Sequence, residues 1–91
     1  MEENVEIHAM VKGFVQGVGF RATARHYATK HGIKGTIRNL ADGGVEIYAQ
    51  GNKHTLDKFF QHLLESFGDY VEIIDKQPIS PKQYDDFHIL R

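Results

Sequence analysis

Leu56, Phe59, Phe60, Leu63, Leu64 and Phe67 follow the spacing i, i+3, i+4, i+7, i+8, i+11 without a gap. No other feature constrains the fold of this chain as strongly. The spacing puts all six on one side of an α-helix and leaves the opposite side polar. Such a helix must lie on an apolar surface, and 91 residues can build only one modest core. Residues 1–91 are therefore read as a single domain. Asn52 stands where an N-cap is wanted and Gly68 where the helix should stop.

The surface it needs is supplied by strands. "VEIHAMVKG" alternates strictly, with Val5, Ile7, Ala9 and Val11 on one side and Glu6, His8, Met10 and Lys12 on the other. "IKGTIRNLA" and "GVEIYAQ" predict two more strands, joined by "ADGG", and Asp-Gly between strands is a strong hairpin signal. "YVEIIDKQ" predicts a fourth, ended by Pro78 and Pro81, and "FHIL" a short terminal one. Between the first two strands, Phe20, Ala24, Tyr27, Ala28 and His31 share a helical stripe, with Gly32 placed to end it.

The order is strand, helix, strand, strand, helix, strand, and each helix has one apolar face. An α+β fold satisfies this: a ferredoxin-like βαββαβ arrangement, an antiparallel sheet with both helices packed on one face. If the third strand inserts between the first two, those two run parallel. Their C-terminal ends then share one sheet edge, about 10 Å apart at ordinary strand spacing. A glycine-rich loop leaves the first of these ends, and Asn39 lies near the second.

Composition narrows the partners. The 11 basic and 12 acidic residues create no field to hold a nucleic-acid backbone or an anionic membrane. The chain has no cysteine, which rules out disulfides and thiolate metal sites and agrees with a cytoplasmic setting. "MEENVEIHAM" has no basic-then-apolar leader pattern, and no apolar run reaches membrane-spanning length. The six histidines fall in no HxxH or HExxH pattern, so no metal is expected. His31 reads as a cap or flank of the first helix. Lys30, Lys34 and Arg38 read as a solvated basic face or a weak steering field.

The loop "GFVQGVGFRATA", residues 13–24, admits three readings. Gly17 to Ala22 fits G-x-G-x-x-G/A, and Asp42 lies about twenty residues on, as in dinucleotide-binding units. That acid should close a parallel strand beside the first, whereas Asp42 heads a hairpin, so this reading fails. A plain strand-to-helix turn accounts for Gly17 and Gly19 but not for Arg21. A cation in the first turn of a helix is disfavoured by a few tenths to about 1 kcal/mol. An anion beside it removes that conflict. Backbone N–H groups of a glycine-rich turn, the helix N-terminus and a guanidinium make a phosphate site together. Val15 to Arg21 has the spacing of cysteine-dependent phosphatase loops, with valine at the nucleophile's place; in any turnover, water must attack.

At these residues the sequence resembles the acylphosphatase family. "VKGFVQGVGFR", Val11 to Arg21, matches that family's first signature in full. "GTIRNLADGGVEIYAQG", Gly35 to Gly51, matches the second except for Thr36 in place of an aromatic and Ile37 in place of a smaller residue. The likeness extends to the C-terminal "YDDFHILR" and spans nearly the whole chain. It implies hydrolysis of acyl phosphates to a carboxylate and inorganic phosphate, with no metal, no cofactor and no covalent intermediate. It implies that the backbone amides of Val15, Gln16, Gly17, Val18, Gly19 and Phe20, together with Arg21, bind the phosphate. Asn39 is implied to orient the attacking water. The chain is expected to act as a monomer on a small-molecule substrate, without nucleic-acid or membrane partners. A non-catalytic anion-binding or protein-interaction module on the same fold is the alternative. RNA binding needs aromatics on the central strands, where only Tyr48 is available.

Overall fold

A computed structural model describes residues 3–13 and 19–91. Along the chain run β1 (Val5–Gly13), α1 (Phe20–Lys30), β2 (Lys34–Asn39), β3 (Val45–Gly51), α2 (Lys53–Phe67), a single 3-10 turn (Gly68–Tyr70), β4 (Val71–Ile79) and β5 (Phe87–Ile89). The strands form one sheet in the order β4-β1-β3-β2-β5. β3 does insert between β1 and β2, antiparallel to both, and β4 is antiparallel to β1. The exception to an antiparallel sheet is β5, which pairs parallel with β2.

Alternation in the strands and helical spacing in α1 and α2 meet in one core. From the sheet come Ala9, Val11, Ile37, Val45, Ile47 and Ala49, all buried. Phe20, Ala24 and Ala28 of α1 and Leu56, Phe59, Phe60 and Leu63 of α2 close over them. Phe20 and Phe67 join the two helices with ring centroids 5.0 Å apart. Ile37, larger than the family signature asks, is fully buried and finds room in this core. Gly35 is required where β2 meets β3. Its φ is +143°, and a Cβ there would run into the Tyr48 carbonyl oxygen.

Four expectations need correction. Leu64 belongs to the α2 stripe by spacing, yet it is 40% exposed, because the apolar stripe is wider than the surface beneath it. Pro78 does not end β4; the strand continues to Ile79, with Pro78 opposite Ile7. β4 lies at the sheet edge, the place in a sheet where proline is tolerated. Tyr70 belongs to the 3-10 turn instead of the strand. The largest departure is Glu6, assigned by alternation to the solvated side but fully buried.

Glu6 is buried because the segment 80–86 crosses that side of the sheet and supplies its donors. Glu6 Oε1 accepts from the Lys82 backbone N–H at 2.9 Å and from Gln50 Nε2 at 3.1 Å. Oε2 accepts from the Tyr84 hydroxyl at 2.7 Å. Burial, and then the hydrogen bond to Glu6, push the Tyr84 phenol well above its ordinary range. The Lys82 ammonium lies 3.9 Å from the Tyr48 ring centroid on the same side.

Candidate active site

The sheet register sets the site's frame. Asn39 is opposite Val45, and Val45 is opposite Val11. One row of residues thus runs from the last residue of β2, across β3, to a point two residues before the end of β1. At ordinary strand spacing this separates the two ends by about 10 Å. Asn39 is exposed. It lies at the mouth of a tight turn in which the Leu40 N–H donates to the Gly44 carbonyl at 2.8 Å and the Gly43 N–H to Leu40 at 3.2 Å. Asp42 Oδ1 accepts from the Gly44 N–H at 2.9 Å. This is the work of Asp42, and it leaves the ribose role with no support.

At the β1 end, Gly13 has φ +118°, and a Cβ on it would run into the Tyr70 carbonyl oxygen. Only glycine lets β1 end against the start of β4 at this point. Val15, Gln16, Gly17 and Val18 lie outside the described residues. The chain is described again from Gly19, which is left-handed (φ 79°, ψ 13°) and forms the N-cap of α1. Its carbonyl accepts the first intrahelical bond, from Thr23 N–H at 3.0 Å. The amides of Phe20, Arg21 and Ala22 precede that bond, so the helix gives them no acceptor. Phe20 is buried by its ring, and what it can offer a ligand is its N–H.

Arg21 is half-buried in the first turn of α1. Among the described residues no side chain caps that helix start, and no acidic residue lies in its first turn. Among the described residues Arg21 forms no ion pair. Three positive features therefore coincide: the helix dipole, amides without an intrahelical acceptor and a guanidinium. The structure brings Gly19, Phe20 and Arg21 to the N-terminal end of α1 and Asn39 to the end of β2. Among the described residues no three His, Cys, Asp or Glu side chains group so as to hold a metal ion.

One cluster next to this site was not anticipated. Glu46 faces Arg38 directly across the β2–β3 pair. Its Oε1 accepts from Arg38 Nε at 2.7 Å, and its Oε2 is 2.8 Å from His8 Nε2. Burial pushes the Glu46 carboxyl up, but the hydrogen bonds from His8 and Arg38 outweigh it and hold the group below its ordinary value. An ionised Glu46 can only accept, so His8 donates from Nε2. His8 in turn stacks on Tyr48 at 4.5 Å between centroids. Arg38 is thus engaged with Glu46 and is not part of a free basic cluster with Lys30 and Lys34. Arg38 and Glu46 lie equally far from Asp42 in sequence, so the hairpin signal carried the information that pairs them.

Comparison with known proteins identifies the family. The family model described as acylphosphatase matches residues 7–89. An acylphosphatase of Treponema denticola is 41% identical over 85 residues, which cover 91% of this chain and 89% of the relative. Acylphosphatases of Listeria monocytogenes are 57% identical over 49 residues, 54% of this chain, and the matched stretch spans about half (53%) of their own length. The crystal structure of acylphosphatase from Bacillus subtilis superposes with a TM-score of 0.80 at 30% identity, covering 96% of this chain and 99% of that one. No described helix is long and apolar enough to cross a membrane. With the family model extending from β1 to the last residue of β5, the chain belongs to the acylphosphatase family.

Proposed function

We propose that this chain, acting as one domain over residues 1–91, hydrolyses the carboxyl–phosphate anhydride of small acyl phosphates to a carboxylate and inorganic phosphate. The observation that carries the reading is Arg21, which among the described residues has no ion-pair partner, at a helix start whose N-cap is a glycine and whose first turn holds no acid. The residue 15–21 loop holds the phosphoryl group through the backbone N–H groups of Val15 to Phe20 and the fork of Arg21. Asn39, on the neighbouring strand end, orients the attacking water through its carboxamide.

So few groups suffice because of the leaving group. A carboxylate is a weak base and departs without a general acid. The transition state is metaphosphate-like, and its needs are positioning and charge stabilisation. Preorganised N–H donors supply these, each worth on the order of a hundredfold in rate. The water proton passes to a non-bridging phosphate oxygen of the substrate. Water attacks phosphorus directly, and no phosphoenzyme or metal takes part. The protein works as a cytoplasmic monomer.

Two substitutions separate the roles. Arg21→Ala abolishes both turnover of a synthetic acyl phosphate and competitive inhibition by inorganic phosphate. Asn39→Ala lowers kcat by about a hundredfold or more while phosphate still inhibits. Near-native kcat in Asn39→Ala would remove the water-orienting role.

A further inference from the structure

Three strands carry the proposed machinery, and one carboxylate links all three. β1 leads into the phosphate loop, β2 ends in Asn39, and β3 lies between them. Glu46 on β3 holds His8 of β1 with one oxygen and Arg38 of β2 with the other. Its side chain is 13% exposed, against 26% for His8 and 51% for Arg38. The Arg38–Glu46 pair is the last but one in the β2–β3 ladder, and the pair beyond it is Asn39–Val45. Strand ends open more readily than strand centres, because no further pair holds them.

We infer that Glu46 is a positioning residue for hydrolysis: by gripping Arg38 and His8 it fixes the end of β2, and with it Asn39, relative to the strand that feeds the phosphate loop. Glu46 and Arg38 point away from the helices, on the opposite side from Val45 and Ile37, by the alternation of the strands. Glu46 therefore touches no substrate on this reading, and its effect passes through the backbone at Arg38. The inference rests on the water-orienting role proposed for Asn39. It adds that this role needs a clamp on the far side of the sheet.

The interaction is geometric, so an isostere should serve. A glutamine at 46 can still accept from Arg38 Nε and donate to a His8 ring nitrogen. Activity against a synthetic acyl phosphate is measured for Glu46→Ala, Glu46→Gln, Arg38→Ala and the Arg38→Ala/Glu46→Ala double variant, with inorganic phosphate as inhibitor. Assays run below each variant's melting transition, followed by circular dichroism. Glu46→Ala and Arg38→Ala each lower kcat by about tenfold, as expected for a displaced reacting group, while Glu46→Gln stays within about threefold of native. The double variant is no worse than the poorer single one, since both remove a shared interaction. Phosphate inhibition is unchanged in all four. A kcat within twofold of native in Glu46→Ala, a Glu46→Gln as impaired as the alanine variant, or a parallel loss of phosphate inhibition would each overturn the inference. Run beside them, Asn39→Ala tells the two levels apart: near-native kcat there removes the water-orienting reading itself. A dead Asn39→Ala with an unaffected Glu46→Ala removes only the clamp.

Discussion

The two helices pack on the same face of one sheet, yet their N-termini are built in opposite ways. α2 begins at Asn52 in an extended conformation (φ −77°, ψ 154°), whose side chain accepts the Thr55 N–H at 2.8 Å. Its first cation, Lys53, is matched by Asp57 one turn later at 2.9 Å. α1 begins at a left-handed glycine with no side-chain cap and places Arg21 in its first turn without an acid to answer it. One helix start carries a side-chain cap; at the other, among the described residues, there is none. Where local rules for stability are broken in only one of two equivalent places, function is the economical explanation.

Reversing the charge at position 21 is the sharpest way to break that comparison. Arg21→Glu removes a cation the dipole disfavours and supplies the acid it favours. Thermal or urea unfolding should show a gain of about 0.5–1 kcal/mol. Turnover should fall by more than about a hundredfold, because a carboxylate now faces the substrate phosphate. A variant that is less stable than native would mean that Arg21 has a structural partner, and the contrast between the two helix starts would lose its meaning.

A second test asks whether stability is kept away from the site. Glu6 and its donors lie toward the opposite end of β1 from the loop. Tyr84→Phe leaves Glu6 Oε2, fully buried, without its hydroxyl donor. The expected loss is about 1–3 kcal/mol in unfolding free energy with kcat unchanged. The phenol also gives this contact a pH signature. Its ionisation is raised above the ordinary 10.0 by burial and by Glu6. The contribution is therefore complete below pH 10.0 and disappears as pH rises further toward the folded value. Stability plotted against pH should fall more steeply above pH 10.0 in the native protein than in Tyr84→Phe. Equal slopes would show that the Tyr84 hydroxyl is ionised as freely as in the unfolded chain.

Which of these features could be read in the sequence follows from how local each one is. The α2 stripe apart from Leu64, its Asn52 cap, the β1 strand and the Asp-Gly hairpin are all fixed by neighbours within a few residues, and each is found in the structure. Arg21 was conspicuous for the same reason, since its conflict with the helix dipole is local. Asn39 became a candidate only once the topology put two strand ends on one edge. Glu6 could not be found in this way. Its partners Lys82 and Tyr84 are 76 and 78 residues away, and alternation alone sends it to solvent. Pro78 was misread because whether a strand is an edge strand is a property of the whole sheet. The Glu46–Arg38 pair was accessible in principle, by counting outward from the Asp42 turn. Grouping Arg38 with Lys30 and Lys34 by charge hides this pair, which only the strand register reveals.

The smallest effect completes the comparison at the other helix. Asn52→Ala removes the acceptor that the Thr55 N–H uses and leaves that amide to water. The cost of losing such a cap is about 1 kcal/mol. Because α2 starts beside the β3 end remote from Asn39, kcat and phosphate inhibition should both stay within about twofold of native, well below the effect of a displaced reacting group. Asn52→Asp restores the cap with a charged acceptor and should recover the lost stability, since the dipole favours an anion there. The same alanine variant should gain nothing in stability from added phosphate beyond what the native protein gains, because on the proposed reading phosphate binds at the α1 start, which this substitution leaves intact. If instead phosphate rescued Asn52→Ala more than native, the anion would be binding at α2 as well. The two helix starts would then differ in degree and not in kind.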